Sequence, residues 1–256
     1  MKKRRGMFSS SRNPMFREQM FQRATENTLD GDFIQVAGER MTVSGAVNKS
    51  LILGAIMLLT SVVGFAFANP IFIWGGAILG LVAVFAASYK PEWSTFLAPI
   101  YAGLEGLFVG GISAVYYNAF YPGIILQAIT LTLAVFFIML FVYKAGIITV
   151  TSKFRSGVIM ATGAVVLMYV LSIVLGLFGI NLPFLHEGGL MGIGISLVII
   201  GIASLNLLLD FDNFDKGEQA GAPAHFEWFF AMGLLVTLVW LYIEILRLLA
   251  ILASSD

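Results

Sequence analysis

The chain has 256 residues, enough for one large soluble domain, but 59% of them are hydrophobic and only 12% charged, about half the roughly 25% charge of an ordinary globular chain. So few charges cannot cover a water-facing surface, which makes lipid the solvent for most of the protein. The absence of cysteine excludes disulfide frameworks, thiolate metal sites and cysteine nucleophiles.

The first 49 residues differ from the rest. They carry nine of the fifteen Lys and Arg residues (Lys2, Lys3, Arg4, Arg5, Arg12, Arg17, Arg23, Arg40 and Lys49) and no long apolar run. A secretory signal would place its apolar stretch directly after Lys2–Arg5, yet the residues up to Asn13 are polar, so cleavage is not expected. Residues 1–49 read as a flexible basic arm. Met15, Phe16, Met20 and Phe21 are able to rest a short helix on a bilayer surface; an unstructured tail explains the composition equally well.

From Leu51 onward, apolar blocks alternate with short punctuation. Seven approach the twenty residues that cross hydrocarbon: 51–69, 70–89, 96–118, 123–143, 156–180, 190–210 and 227–252. Asn69-Pro70 divides the first two, because proline disfavours helix in the residue before it. Residues 50–256 are therefore expected to form an all-α transmembrane domain of seven helices. With the arm on one side, Lys90, Lys144, Lys153, Arg155 and Lys216 fall on that same side, and the turns near Pro70, Pro122 and Pro183 carry no basic residue. Arg247 is the one exception. The positive-inside rule then puts the N-terminus in the cytoplasm and the C-terminus outside. Ala102, Gly106, Gly110 and Ala114 recur every four residues, a smooth stripe for close helix crossing.

Ionisable residues in apolar blocks are the informative ones, since a charge at bilayer depth costs roughly 2.5–3.5 kcal/mol even on mild scales. Glu105 stands midway along the third block without a partner near in sequence, so it must be protonated, paired across helices or wet. Asp210 and Asp212 close the sixth block. Asp212, with Asp215 and Glu218, reads as facing the cytoplasm where that helix ends. Glu244 and Arg247 are three apart in the seventh block and able to neutralise each other, although Arg247 is also able to snorkel outward.

The acids from Asp210 onward fail the calcium-loop pattern, with Asp215 where its glycine belongs and Gly221 where its glutamate belongs. Nucleophile elbows, phosphate-binding glycine loops and His-Glu-x-x-His are absent. His186 and His225 fall in predicted connections. No enzyme, cofactor or nucleic-acid partner is expected.

In order along the chain stand Arg40-Met-Thr-Val, Pro99-Ile-Tyr-Ala-Gly-Leu-Glu-Gly-Leu-Phe, Tyr143-Lys-Ala-Gly-Ile-Ile, Lys153-Phe-Arg-Ser-Gly-Val, Asn206-Leu-Leu-Leu-Asp-Phe-Asp and Trp240-Leu-Tyr-Ile-Glu-Ile-Leu-Arg. On this hydropathy profile the chain resembles the Bax inhibitor 1 family, in particular its bacterial YccA-like branch, from about Arg40 to Arg247. The resemblance implies a seven-helix bundle with the last helix central, and a pH-sensitive calcium leak across membranes. It also implies a proton-sharing carboxylate pair from the last two helices that controls the pore. Carried over by position, these are Asp210 and Glu244, where the family's better-known members have aspartate at the second place.

At about 4 Å in an effective dielectric near 20, two such carboxylates repel by about 4 kcal/mol when both are charged, which favours a shared proton. No fixed metal is expected, only transient calcium at Asp210 and Glu244. Glu105, Arg247 and Asp212 are candidates for the ion pathway or for counter-ions. The expected partners are the lipid bilayer, calcium or another cation, and a membrane protein. The expected location is a bacterial inner membrane. The rival reading is a non-conducting protein that regulates a partner through its arm or the Asp212–Glu218 loop.

Overall fold

The computed structural model describes residues 39–179 and 189–254. They contain seven long helices: α1 (Val43–Ala66), α2 (Pro70–Tyr89), α3 (Ser94–Ala119), α4 (Gly123–Lys144), α5 (Ser152–Leu177), α6 (Leu190–Gln219) and α7 (His225–Ala253). All seven are long and apolar enough to cross a membrane. The expected arm lies mostly outside the described residues, as does the turn around Pro183.

Lipid rather than water explains the surface. Large side chains such as Leu59, Ile71, Leu126 and Ile173 stand exposed around the bundle, where only hydrocarbon would receive them without cost. The last helix is central: 56% of its most apolar stretch is buried, against 11% for α1 and α5, and it packs on α1, α3, α4 and α6. Arg40, Lys49, Lys90, Lys144, Lys153, Arg155 and Lys216 all belong to one end of this alternating bundle, hereafter the basic end.

The small-residue stripe forms the tightest seam. A Cβ on Gly110 would lie 2.0 Å from the Ser61 carbonyl oxygen, and one on Gly106 would lie 2.4 Å from that of Met57. Only glycine lets the α1 and α3 backbones approach so closely. Gly76 plays the same part between α2 and α3, where its Cβ would lie 2.6 Å from the Leu104 carbonyl oxygen.

Two boundaries differ from the sequence expectation for identifiable reasons. α1 starts at Val43, well before Leu51, because its polar first turn is capped from elsewhere in the chain. Thr42 accepts from Gly45 N at 2.9 Å, Glu227 accepts from Thr42 N at 2.9 Å, and Glu218 accepts from Val43 N at 3.0 Å. Two carboxylates thus sit at the positive end of the α1 dipole. Residues 39–41 are held by the α6–α7 connection, with Met41 N donating to Ala222 O and Ala224 N to Glu39 O, both at 2.8 Å.

The second difference is α6, which continues nine residues past Asp210. Phe211 and Phe214 are buried in the main core, so the helix keeps an apolar face while its other faces turn polar. Asp210 and Asp212 therefore lie within a helix rather than closing it.

Candidate functional site

Two charged clusters and a polar rung between them line the seam between α5, α6 and α7, and α5 shows why. Arg155, Thr162 and Tyr169 recur every seven residues, which places them on one face of an otherwise apolar helix. They span about 21 Å at 1.5 Å per residue. Each makes a polar contact with α6 or α7.

At the basic end, Arg155 donates to Asn213 Oδ1 at 2.9 Å and pairs with Asp212, while Lys216 reaches the same Asp212 oxygen at 2.6 Å. Asp212 is buried and doubly paired, which corrects the reading of it as a cytoplasm-facing residue at a helix end. In the middle, Asn206 Nδ2 donates to Thr162 Oγ1 at 2.7 Å and to the Ile202 carbonyl at 2.9 Å.

Towards the other end, Tyr169 donates its hydroxyl to Glu244 and accepts from Arg247 Nη1 at 2.5 Å. Arg247 Nη2 donates to Ser196 Oγ at 3.0 Å and lies 3.5 Å from Glu244 Oε2. Glu244 is only 3% exposed, and its neighbour three residues along supplies the counter-charge. A cavity of about 630 Å³ opens beside this cluster, lined by Tyr116, Tyr169, Ser172, Arg247 and Ser254 among others.

Asp210 lies between the two clusters, one helical turn from Asn206. It faces Gly233 and Thr237 of α7: its Oδ1 comes to 4.0 Å from where a Gly233 side chain would begin, and the nearby Thr237 hydroxyl donates to the Gly233 carbonyl at 3.3 Å. Its Oδ2 is removed from solvent and finds no donor among the described residues. Leaving such an atom unmatched costs about 1–3 kcal/mol.

The helix register keeps Asp210 and Glu244 apart. Ser196 lies opposite Arg247 and Asp210 opposite Thr237 in the antiparallel α6–α7 pair. Glu244 is seven residues beyond Thr237, about 10 Å along the axis. The expected shared proton between these two carboxylates is not the geometry present here, because each has its own partners at its own level. Glu105 is also elsewhere: its Oε2 lies against Gly80 of α2, 2.9 Å from the position of a Cβ there. It is buried at mid-helix and makes no ion pair among the described residues.

Several participants escaped the sequence reading, Thr162 and Thr237 among them. Tyr169 and Arg155 were visible as the seven-residue polar stripe of α5. Ser196 carried no signal, since a lone serine in an apolar helix usually bonds its own backbone. Among the described residues, no three His, Asp or Glu side chains cluster as a metal site, and the buried carboxylate oxygens without a donor are Asp210 Oδ2 and Glu244 Oε2.

A family model described as Bax inhibitor 1 like matches residues 13–254 of the chain. No curated protein matches it significantly.

Proposed function

The chain belongs to the Bax inhibitor 1 like family, and from that premise we propose that it leaks cations, calcium among them, along the α5–α6–α7 seam. The observation that carries this reading is the continuity of polar side chains down that seam, with one carboxylate, Asp210, outside its ion pairs. Arg155–Asp212–Lys216 and Tyr169–Glu244–Arg247 each bind their charges to one another and act as locks at the two ends. Asp210, between them, is in neither pair and holds an oxygen with no donor, as Glu244 does at Oε2. Calcium takes oxygen ligands in irregular geometry, and a single carboxylate beside a hydroxyl gives a resting place too weak to trap it. Passage, rather than storage, suits such a site.

Opening requires the locks to exchange partners. An incoming cation that takes an arginine's carboxylate leaves that guanidinium in need of a new counter-charge, and Asp210, on which Arg155 already acts electrostatically, is the seam carboxylate that supplies it. The cavity beside Arg247 and Tyr169 supplies the approach at one end.

The test is calcium flux into liposomes containing the purified protein. Asp210→Asn, which preserves shape and removes the charge, is expected to lower flux at least tenfold with the fold intact. A folded Asp210→Asn protein that leaks like wild type overturns the reading. The rival draws on the pairing of Asp212 and Glu244, which favours a dry bundle that regulates a partner instead. A wild-type protein with no flux above empty liposomes selects that rival.

A further inference from the structure

On the opposite side of the bundle, α1 and α4 hardly touch, and between them a groove of about 860 Å³ reaches the central helix. It extends along α1 from Val43 to Phe65, about 33 Å at 1.5 Å per residue, which matches the hydrocarbon thickness of a bilayer. Its walls are almost wholly apolar, with Leu51, Ile129 and Phe136 among them. Its mouth at the basic end is not.

There Lys144 and Asp215 line the same opening, and they are not ion-paired with each other or with any described residue. Asp215 is held in place by the Tyr143 hydroxyl, which donates to its Oδ2 at 2.5 Å. The lysine ends α4 and the aspartate sits in the last third of α6, so both stand where lipid headgroups lie. A cation and an anion lining one end of an acyl-sized slot, left unpaired with each other, describe the negative image of a zwitterion.

We propose that this groove binds one glycerophospholipid with a primary-amine headgroup, its phosphate on Lys144, its ammonium on Asp215 and an acyl chain along the α1–α4 cleft. The amine matters because an ammonium N–H bonds a carboxylate, whereas a quaternary choline has no N–H to give. A glycerol headgroup brings a phosphate but no cation for Asp215. The seat lies apart from the cation track, so its failure leaves the leak reading standing, and the converse holds too.

Native mass spectrometry of the purified full-length protein tests this, with dioleoyl phosphatidylethanolamine, phosphatidylcholine and phosphatidylglycerol as probes. Phosphatidylethanolamine is expected to bind at least tenfold more tightly than the other two. Asp215→Asn, which keeps an acceptor for Tyr143, is expected to abolish that preference, and Lys144→Gln to weaken all three lipids. Gly54 lines the groove about 16 Å along α1 from Val43, and a Cβ there would meet nothing within 4 Å. Gly54→Trp therefore starts its side chain into open space within the slot, and is expected to weaken dioleoyl lipids while sparing a short-chain phosphatidylethanolamine. Equal binding of all three lipids overturns the proposal and leaves the groove to a helix of another chain. A preference that survives both Asp215→Asn and Lys144→Gln overturns it as well.

Discussion

Tyr169→Phe removes one oxygen and leaves the ring in place, yet that oxygen joins both charges of the lock near the Arg247 cavity. It donates to Glu244 and accepts from Arg247 at 2.5 Å. Hydrogen bonds to charged groups are worth about 1.5–3 kcal/mol each. Without the hydroxyl, Arg247 is free to close its 3.5 Å gap to Glu244, so the net loss should be about one such bond rather than two. If the bond exists only in the shut form, 1.5–3 kcal/mol shifts the equilibrium towards conduction by roughly ten- to a hundredfold, at 1.4 kcal/mol per decade. Calcium flux in liposomes reads this as a raised basal leak, and thermal unfolding in detergent reads the accompanying loss of stability. A protein that is less stable but leaks no faster would mean that the Tyr169 bond persists in both forms. That result would refute its role as a lock.

The remaining predictions concern the scaffold. Gly110→Ala should lower the unfolding temperature in detergent, because its Cβ would meet backbone at 2.0 Å and overpacking costs about 1–3 kcal/mol. Gly54→Ala, with nothing within 4 Å, should be neutral or stabilising by up to about 1 kcal/mol, as glycine is a poor helix former. Glu227→Ala should strip the cap from Thr42 N and Oγ1 and cost about 1–2 kcal/mol. Hydrogen exchange should then rise in the first turn of α1 and not in its middle.

Most of the fold was legible because lipid imposes a simple rule. A helix satisfies its own backbone, so apolar blocks of the right length must be helices. What the apolar rule could not see were the polar turns that tertiary contacts stabilise. Locally only the Thr42 cap on Gly45 N marks the start of Val43–Ser50; the other acceptors come from Glu218 and Glu227, far along the chain. The extension of α6 beyond Asp210 rests on Phe211 and Phe214 finding the core, a spacing of three that was hidden among aspartates.

The site was legible as a set of residues and not as a set of partners. Asp210, Asp212, Glu244 and Arg247 all prove to be buried or half-buried polar groups on one seam. Their pairing depends on the α6–α7 register, which the apolar pattern leaves open, and on α5, whose polar stripe lies within a block that hydropathy alone reads as uniform. Glu105 points to α2 because Gly80 makes room for it there.

Because the chain has no cysteine of its own, a single introduced thiol reports directly on whether the seam conducts. In liposomes, Thr162→Cys on the Tyr169→Phe background places that thiol at the middle rung of the track. The account predicts that a small cationic, water-soluble thiol reagent reacts there and that calcium flux falls as it does. A thiol that stays unreactive while the protein leaks, or one that reacts with flux unchanged, would contradict it.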